Sequence, residues 1–105
     1  MKIERDDNMN MQAMMMQAKK LQREIESTTK EIDNSVFNYS NENIIIECLG
    51  SYKIKKIEIK NSQILEDKEL LEDVILVGIN DVLNQIMECK NKKLGKYTNG
   101  LGGLF

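Results

Sequence analysis

The segment from Asp67 to Leu94 constrains the fold of this chain more than any other part. Its apolar residues recur every three or four positions, the pattern of an amphipathic helix that buries one face. They are Leu71, Val74, Ile75, Gly78, Ile79, Val82, Leu83 and Ile86. Asp67 is the expected N-cap, because its carboxylate accepts hydrogen bonds from the first turn of a helix. We therefore predict a long helix over residues 67–94.

One part of this helix is apolar on every side, from Val74 to Ile79. Such a helix needs neighbours all round, and a chain of 105 residues can cover one side with its own sheet. Gly78 costs about 1 kcal/mol against Ala in a helix interior, so it indicates a close backbone approach. We expect a second copy of the chain on the other side; the alternative is a fully buried helix in a monomer. The predicted interface residues are Val74, Ile75, Val77, Gly78 and Ile79.

A second helix is predicted near the start of the chain, over residues 8–33. Apolar and small residues there alternate spacings of three and four, which makes a heptad seam. They are Met11, Met14, Ala18, Leu21, Ile25, Thr28 and Ile32. A helix of roughly 25 residues is about 37 Å long, so we expect part of it to project or to pair with another helix. For its C-terminal half, the alternative is a helix packed flat on a sheet.

The residues between the two helices are predicted to form three strands of an antiparallel sheet. Residues 43–49 alternate between two faces, and Gly50-Ser51 is a turn signal for a hairpin. Ile54 is out of phase with Ile57 and Ile59, which predicts a bulge or burial on both faces. The first and third strands are expected near 36–39 and 53–60.

These elements make one α+β domain over residues 1–105: a long helix, three strands, a second long helix and a flexible Gly-rich tail. Residues 1–7 carry no pattern, and residues 97–105 are rich in glycine. We expect both segments to be disordered, because chain ends without packing patterns are seldom ordered.

The composition argues against catalysis and against a bound metal or cofactor. The chain has no histidine, which removes the commonest general base and the commonest metal ligand. Cys48 and Cys89 form no CxxC pair, which favours a reducing compartment. No apolar run has membrane-spanning length, and the charges at residues 4–7 do not fit a secretory leader. We expect a cytoplasmic protein that is not an enzyme and has no membrane or small-molecule partner.

The net charge is −2, but the charges are segregated along the chain. Residues 66–81 hold six acids against one lysine, a local charge of −5. Residues 53–60 and 83–105 each hold four lysines against one glutamate, a local charge of +3. A polyanion would therefore meet particular segments of the chain rather than its whole surface.

Several short motifs follow one another in an order and spacing that resemble a known family. They are Met14 to Gln22, Ile57-Glu58-Ile59, Leu71 to Ile75, Asn80-Asp81, Lys93-Leu94-Gly95-Lys96 and Gly100 to Leu104. The chain resembles the YbaB/EbfC family of bacterial nucleoid-associated proteins over nearly its whole length. The resemblance implies a small homodimer with helical arms that binds DNA in the cytoplasmic nucleoid.

The leading hypothesis is therefore a homodimer that binds duplex DNA, with roles in nucleoid organisation and gene regulation. Lysine and arginine would pair with phosphates and release counterions, mostly without reading bases. The candidate DNA-binding residues are Lys19, Lys20, Arg23, Lys90, Lys92, Lys93 and Lys96, with Lys53, Lys55 and Lys56 as a third group. For each of them, the alternative is an ordinary solvated side chain. The alternative function is a protein-interaction module whose Met-lined helix grips a partner helix.

Overall fold

The computed structural model describes residues 2–101, with the side chains of residues 10–97. The elements are α1 (Lys2–Asn34), β1 (Val36–Ser40), β2 (Ile44–Leu49), β3 (Ile54–Ile59), a 3-10 turn (Ser62–Glu66) and α2 (Lys68–Leu101). This order confirms the predicted α+β fold. The predicted N-cap of the second helix is also present, because Leu70 N–H donates to Asp67 Oδ1 at 3.1 Å.

The sheet is antiparallel, with β2 between β1 and β3. Its register shifts between Glu47, which pairs with Lys56, and Cys48, which pairs with Ile54. Lys55 is the extra residue of the resulting β-bulge, which restores Ile54 to the sheet face of the other apolar residues of β3. Of the two possibilities for Ile54, the bulge is the one present.

The core lies between α2 and one face of β1 and β2. Ile44, Ile46 and Cys48 alternate along β2, and each is 0% exposed. Val82 and Ile86, one helical turn apart on α2, are buried against them. Phe37 and Tyr39 of β1 pack at the margin. The apolar stripe of α2 and the alternation of β2 thus meet as the sequence predicts.

Gly78 lies on the sheet-facing side of α2. A Cβ atom at this position would lie 2.6 Å from Ile46 Cδ1 and 3.0 Å from Tyr39 Cδ2. The atoms nearest to Gly78 are thus side-chain atoms of the chain's own sheet. Gly78 is buried within the chain; the backbone approach and the interface position predicted for it stay predictions.

The β2–β3 turn is fixed against the end of α1. Gly50 N–H donates to Ser35 O at 3.0 Å, and a Cβ on Gly50 would lie 1.9 Å from Ile32 O. No side chain fits there without moving backbone. Tyr52, in the same turn, has a φ of 68°, the left-handed region that glycine or asparagine usually occupies.

The C-terminal half of α1 packs antiparallel to the C-terminal half of α2. Ile32 is buried and Ile25 half-buried on this seam, whereas residues 10–20 are all exposed. The N-terminal half of α1 therefore projects, as expected, and its C-terminal half packs mainly on α2 instead of flat on the sheet. We call α1 together with the C-terminal half of α2 the arm. With this arm the molecule is 81 Å long and 21 × 15 Å across.

Both helices are longer than predicted. α1 begins at Lys2 rather than near residue 8, and α2 continues past Leu94 to Leu101. The helices extend over residues 2–7 and 97–101, while residues 1 and 102–105 lie outside the described part of the chain. The predicted disorder of the two chain ends stays a prediction. One glycine such as Gly95 costs only about 1 kcal/mol, which neighbouring helix formers offset. No helix in the described range is long and apolar enough to span a membrane.

Candidate nucleic-acid interface

The outer face of α1 carries the first predicted basic group, Lys19, Lys20 and Arg23. Their spacing of one, three and four residues puts them together on one side of the helix, away from the packed seam. All three are exposed, and with Met16 and Gln17 they line an open depression. None of them joins an ion pair among the described side chains. Their charges are therefore free to meet an anion.

The second basic group, Lys92, Lys93 and Lys96, lies where α2 runs beside α1. These lysines share a groove with Thr28 and Glu31 of α1. All three are exposed. The two groups lie along the same two-helix arm, because Arg23 precedes Thr28 by five residues, about 8 Å of helix. The two basic groups thus lie along the same pair of helices, although they are far apart in sequence.

Lys90 has a different environment from the other predicted DNA-binding lysines. Its side chain is only 26% exposed, and its Nζ atom lies 3.9 Å from Asp33 Oδ1. The same Nζ atom lies 4.3 Å from the centroid of the Tyr52 ring. Lys90 therefore joins α2 to the end of α1 and to the β2–β3 turn, and its charge is already engaged.

The third basic group lies on the hairpin of β2 and β3. Lys53, Lys55 and Lys56 are exposed, and Lys56 Nζ lies 3.6 Å from Glu58 Oε2. The structure does not bring these lysines into either arm group.

An apolar surface that the sequence analysis missed lies beside α2. The bulge keeps Ile54, Ile57 and Ile59 on the sheet face that α2 covers elsewhere, yet they are 40%, 46% and 38% exposed. They stay exposed because α2 packs on β1 and β2. The alternation of β3 was visible in the sequence, but nothing in it indicates which strands the helix covers.

The side of α2 next to β3 is also apolar. Leu76 and Met87 are 60% and 51% exposed. Leu76 precedes Lys90 by fourteen residues and Met87 precedes it by three, so both lie on the side of α2 that carries Lys90. Lys90 reaches Tyr52 beside β3. The opposite side of α2 lies over β1, where Gln85 Nε2 donates to Asn38 O at 2.8 Å. The β3–α2 surface consists of Ile54, Ile57, Ile59, Leu76 and Met87.

The predicted interface residues differ in their exposure. Val74, Ile75 and Ile79 are partly buried against the core, and Val77 is 56% exposed. Ile79, three residues after Leu76, is the one that borders the β3–α2 surface.

The described side chains include no group of three His, Cys, Asp or Glu residues that could hold a metal ion. Cys48 is buried in the core, and this desolvation raises the pKa of its thiol. Cys89 is half-buried on α2. The two thiols lie on different elements, and both are free cysteines.

A three-stranded sheet with a projecting two-helix arm, basic on its outer face, defines a small α+β protein suited to an extended anionic partner. The chain belongs to the YbaB/EbfC DNA-binding family, whose sequence pattern matches residues 7–101. The resemblance found in the sequence is thereby confirmed.

Individual relatives match over most of their length. The chain is 40% identical over 96 residues to nucleoid-associated protein LL0120 of Lactococcus lactis, covering 89% of this chain and 97% of that protein. It is 38% identical over 92 residues to nucleoid-associated protein MARTH_orf159 of Metamycoplasma arthritidis, covering 87% and 97%. It is 31% identical over 99 residues to a nucleoid-associated protein of Ligilactobacillus salivarius, covering 91% and 95%.

Proposed function

We propose that this chain is a nucleoid-associated protein of the cytoplasm that binds duplex DNA as a homodimer, mainly through phosphate contacts. The observation that carries the proposal is the exposed basic face of the projecting arm. Lys19, Lys20 and Arg23 are exposed and in no described ion pair. Nucleic-acid-binding domains present such clustered charges on one face.

The charge distribution orients the chain toward DNA. The acidic segment, residues 66–81, occupies the N-terminal half of α2, whereas Lys92, Lys93 and Lys96 occupy its C-terminal half on the arm. These halves are separated by roughly 30 Å along the helix. The field of such a dipolar molecule steers the arm, and not the acidic end, toward a polyanion. A net charge of −2 is therefore compatible with DNA binding by one end.

The β3–α2 surface supports the homodimer. Soluble monomers rarely expose large contiguous apolar patches, and such patches mark interaction sites. We assign this surface, bordered by Ile79, as the dimer interface. A two-fold interface uses the same patch on both copies, so a dimer would present each basic group twice.

DNA binding is tested by three triple alanine variants that each remove three positive charges. The arm variant changes Lys19, Lys20 and Arg23; the groove variant changes Lys92, Lys93 and Lys96; the control changes Lys53, Lys55 and Lys56. Binding to two unrelated duplexes is measured across a salt series. The slope of log K against log salt should flatten by about 0.9 for each phosphate that the variant no longer neutralises.

We expect the arm and groove variants to flatten this slope equally on both duplexes, because phosphate contacts carry no direct sequence information. The β3 control should keep the slope of the parent. An arm variant with the slope of the parent would contradict the proposed site. A loss of affinity confined to one duplex would mean that the arm reads bases.

The dimer is tested by light scattering at micromolar concentration. Ile57→Gln and Leu76→Gln each put an amide into the β3–α2 surface and should shift the mass toward the monomer. Val77→Gln tests the interface position predicted from the sequence, since Val77 is comparably exposed on another side of α2. A shift toward the monomer with Val77→Gln alone would contradict the β3–α2 surface as the interface. A parent chain of monomer mass would overturn the homodimer.

A protein-interaction module remains the second candidate, favoured by the projecting half of α1. Met11, Met14 and Met16 are exposed there, and methionine surfaces adapt to apolar partners. Salt separates the two candidates, because binding through an apolar helix face depends weakly on salt whereas phosphate binding weakens steeply.

A further inference from the structure

The projecting half of α1 exposes four methionine side chains close together. Met11, Met14, Met15 and Met16 are 60%, 68%, 59% and 73% exposed. Thioethers are oxidised by peroxides and hypochlorous acid to the polar sulfoxide. Their exposure on a projecting helix makes these sulfurs accessible to a dissolved oxidant.

Met16 has more basic neighbours than the other three, since Met15 lies one helical turn from Lys19 alone. Met16 precedes Lys19 by three residues and Lys20 by four, so the three side chains are adjacent on one helix face. Met16, Lys19, Lys20 and Arg23 line the same open depression. Met14 is comparably exposed but lies on the heptad seam, on the other side of α1. Of these four methionines, Met16 is therefore the one that lines the depression with all three basic residues.

We propose that Met16 is an oxidation site through which a peroxide or hypochlorous acid weakens DNA binding by the arm. The inference rests on the proposed function. With hydrogen peroxide, the sulfur lone pair attacks one peroxide oxygen, an S–O bond forms, the O–O bond breaks and water leaves. The thioether is oxidised to the sulfoxide and the peroxide is reduced to water, so the step needs no other reactant.

The sulfoxide acts on the neighbouring cations. Its oxygen is a hydrogen-bond acceptor, and Lys19, Lys20 and Arg23 carry only donors. A donor that binds the sulfoxide oxygen is withdrawn from a phosphate oxygen. Oxidation of Met16 thus weakens the grip of the arm on phosphates without changing its formal charge. Sulfoxide reductases reverse the modification.

The experiment compares the parent chain with Met16→Leu and with the matched control Met14→Leu. Leucine keeps a similar apolar volume and cannot be oxidised. Each protein is treated with hydrogen peroxide and then with dithiothreitol, which reduces disulfides and sulfenic acids but leaves sulfoxides. Peptide mass spectrometry gives the sulfoxide occupancy at each methionine, and DNA binding is measured at one low salt concentration.

We expect occupied sulfoxide at position 16, a several-fold loss of affinity for the parent and for Met14→Leu, and little loss for Met16→Leu. Methionine sulfoxide reductases should restore the affinity of the oxidised parent. Three results overturn the inference alone: an unmodified Met16, an oxidised parent that binds as before, or equal losses in parent and Met16→Leu. Absence of DNA binding by the untreated parent would instead contradict the proposed function itself, and this inference with it.

Discussion

The Nζ atom of Lys90 lies 4.3 Å from the ring centroid of Tyr52, which ties α2 to the β2–β3 turn. Tyr52 has a left-handed backbone, with a φ of 68°, a conformation that costs a non-glycine residue roughly 1–2 kcal/mol. The interaction with Lys90 offsets part of this cost, because a cation over an aromatic face is attracted by the ring quadrupole.

A double-mutant cycle measures this interaction. The free energies of unfolding of the parent, Lys90→Ala, Tyr52→Ala and the double variant should give a coupling of about 0.5–1 kcal/mol, the usual range for a partly exposed cation–π pair. The same cycle with Lys92→Ala in place of Lys90→Ala should be additive, since Lys92 is exposed in the groove. Additivity at Lys90 would contradict the role assigned to it.

Lys90 should also differ from its neighbours in DNA binding. Lys93→Ala should flatten the salt slope by about 0.9 for each phosphate that Lys93 neutralises in the complex, because its charge is exposed beside α1. Lys90→Ala should leave the slope almost unchanged, since its charge is held by Asp33 and Tyr52. Slopes are compared on one duplex across the same salt series. Equal slopes for the two variants would show that Lys90 binds phosphate.

Two glycines should respond oppositely to alanine. Gly50→Ala puts a Cβ 1.9 Å from Ile32 O, so backbone must move, and we expect a destabilisation of about 3 kcal/mol or more, typical of severe overpacking. Gly95→Ala meets no atom within 4 Å and should gain about 1 kcal/mol from helix propensity. Urea unfolding checks both. A tolerated Gly50→Ala would mean that the turn does not lie against α1.

The two thiols should react at different rates. Burial raises the pKa of the Cys48 thiol, and the folded chain shields it, whereas Cys89 is half-buried. An aromatic disulfide reagent at neutral pH should label one thiol per chain quickly and the second only as the chain unfolds. Cys89→Ser should retain the slow phase alone. Two fast phases in the parent would contradict burial of Cys48.

The same burial gives stability a pH dependence. A folded thiol with a raised pKa keeps a proton that the unfolded chain loses above its ordinary pKa, about 8.5. The contribution of Cys48 to stability is therefore full at neutral pH and decreases as the pH rises beyond that value. Urea midpoints for the parent and Cys48→Ala between pH 7 and 10 should converge at the alkaline end. Midpoints with a constant separation would contradict this sign.

The helices and strands could be predicted because their signals are local. The apolar stripe of α2 from Leu71 to Ile86 and the alternation of apolar residues in β2 each indicate which residues share a face. The helix ends at Lys2 and Leu101 could not be predicted, because a glycine or a charged run changes helix stability by only about 1 kcal/mol. Local composition therefore leaves the position of a helix end open.

The site was less predictable because it depends on tertiary neighbours. Lys90 and Lys93 look alike in sequence, and only the tertiary neighbours of Lys90, Asp33 and Tyr52, distinguish them. Gly78 predicts a close backbone approach, whereas the atoms that lie against it are side-chain atoms of Ile46 and Tyr39, and these depend on which strands α2 covers. Because α2 packs on β1 and β2, Ile57 of β3 stays exposed, and the alternating pattern of β3 does not indicate this.

The length of the molecule affects how its binding should be measured. At 3.4 Å per base pair, a long axis of 81 Å equals the rise of about 24 base pairs of duplex, which is the longest footprint that one chain lying along DNA can have. When a long ligand binds DNA without regard to sequence, a binding site can begin at any base pair and neighbouring sites overlap. One bound molecule therefore blocks many of the sites that a second molecule could use. Apparent affinity per molecule of DNA should therefore rise with duplex length well beyond this span. As a long duplex fills, the gaps left between bound molecules become shorter than one binding site. The last free stretches of DNA should therefore fill slowest.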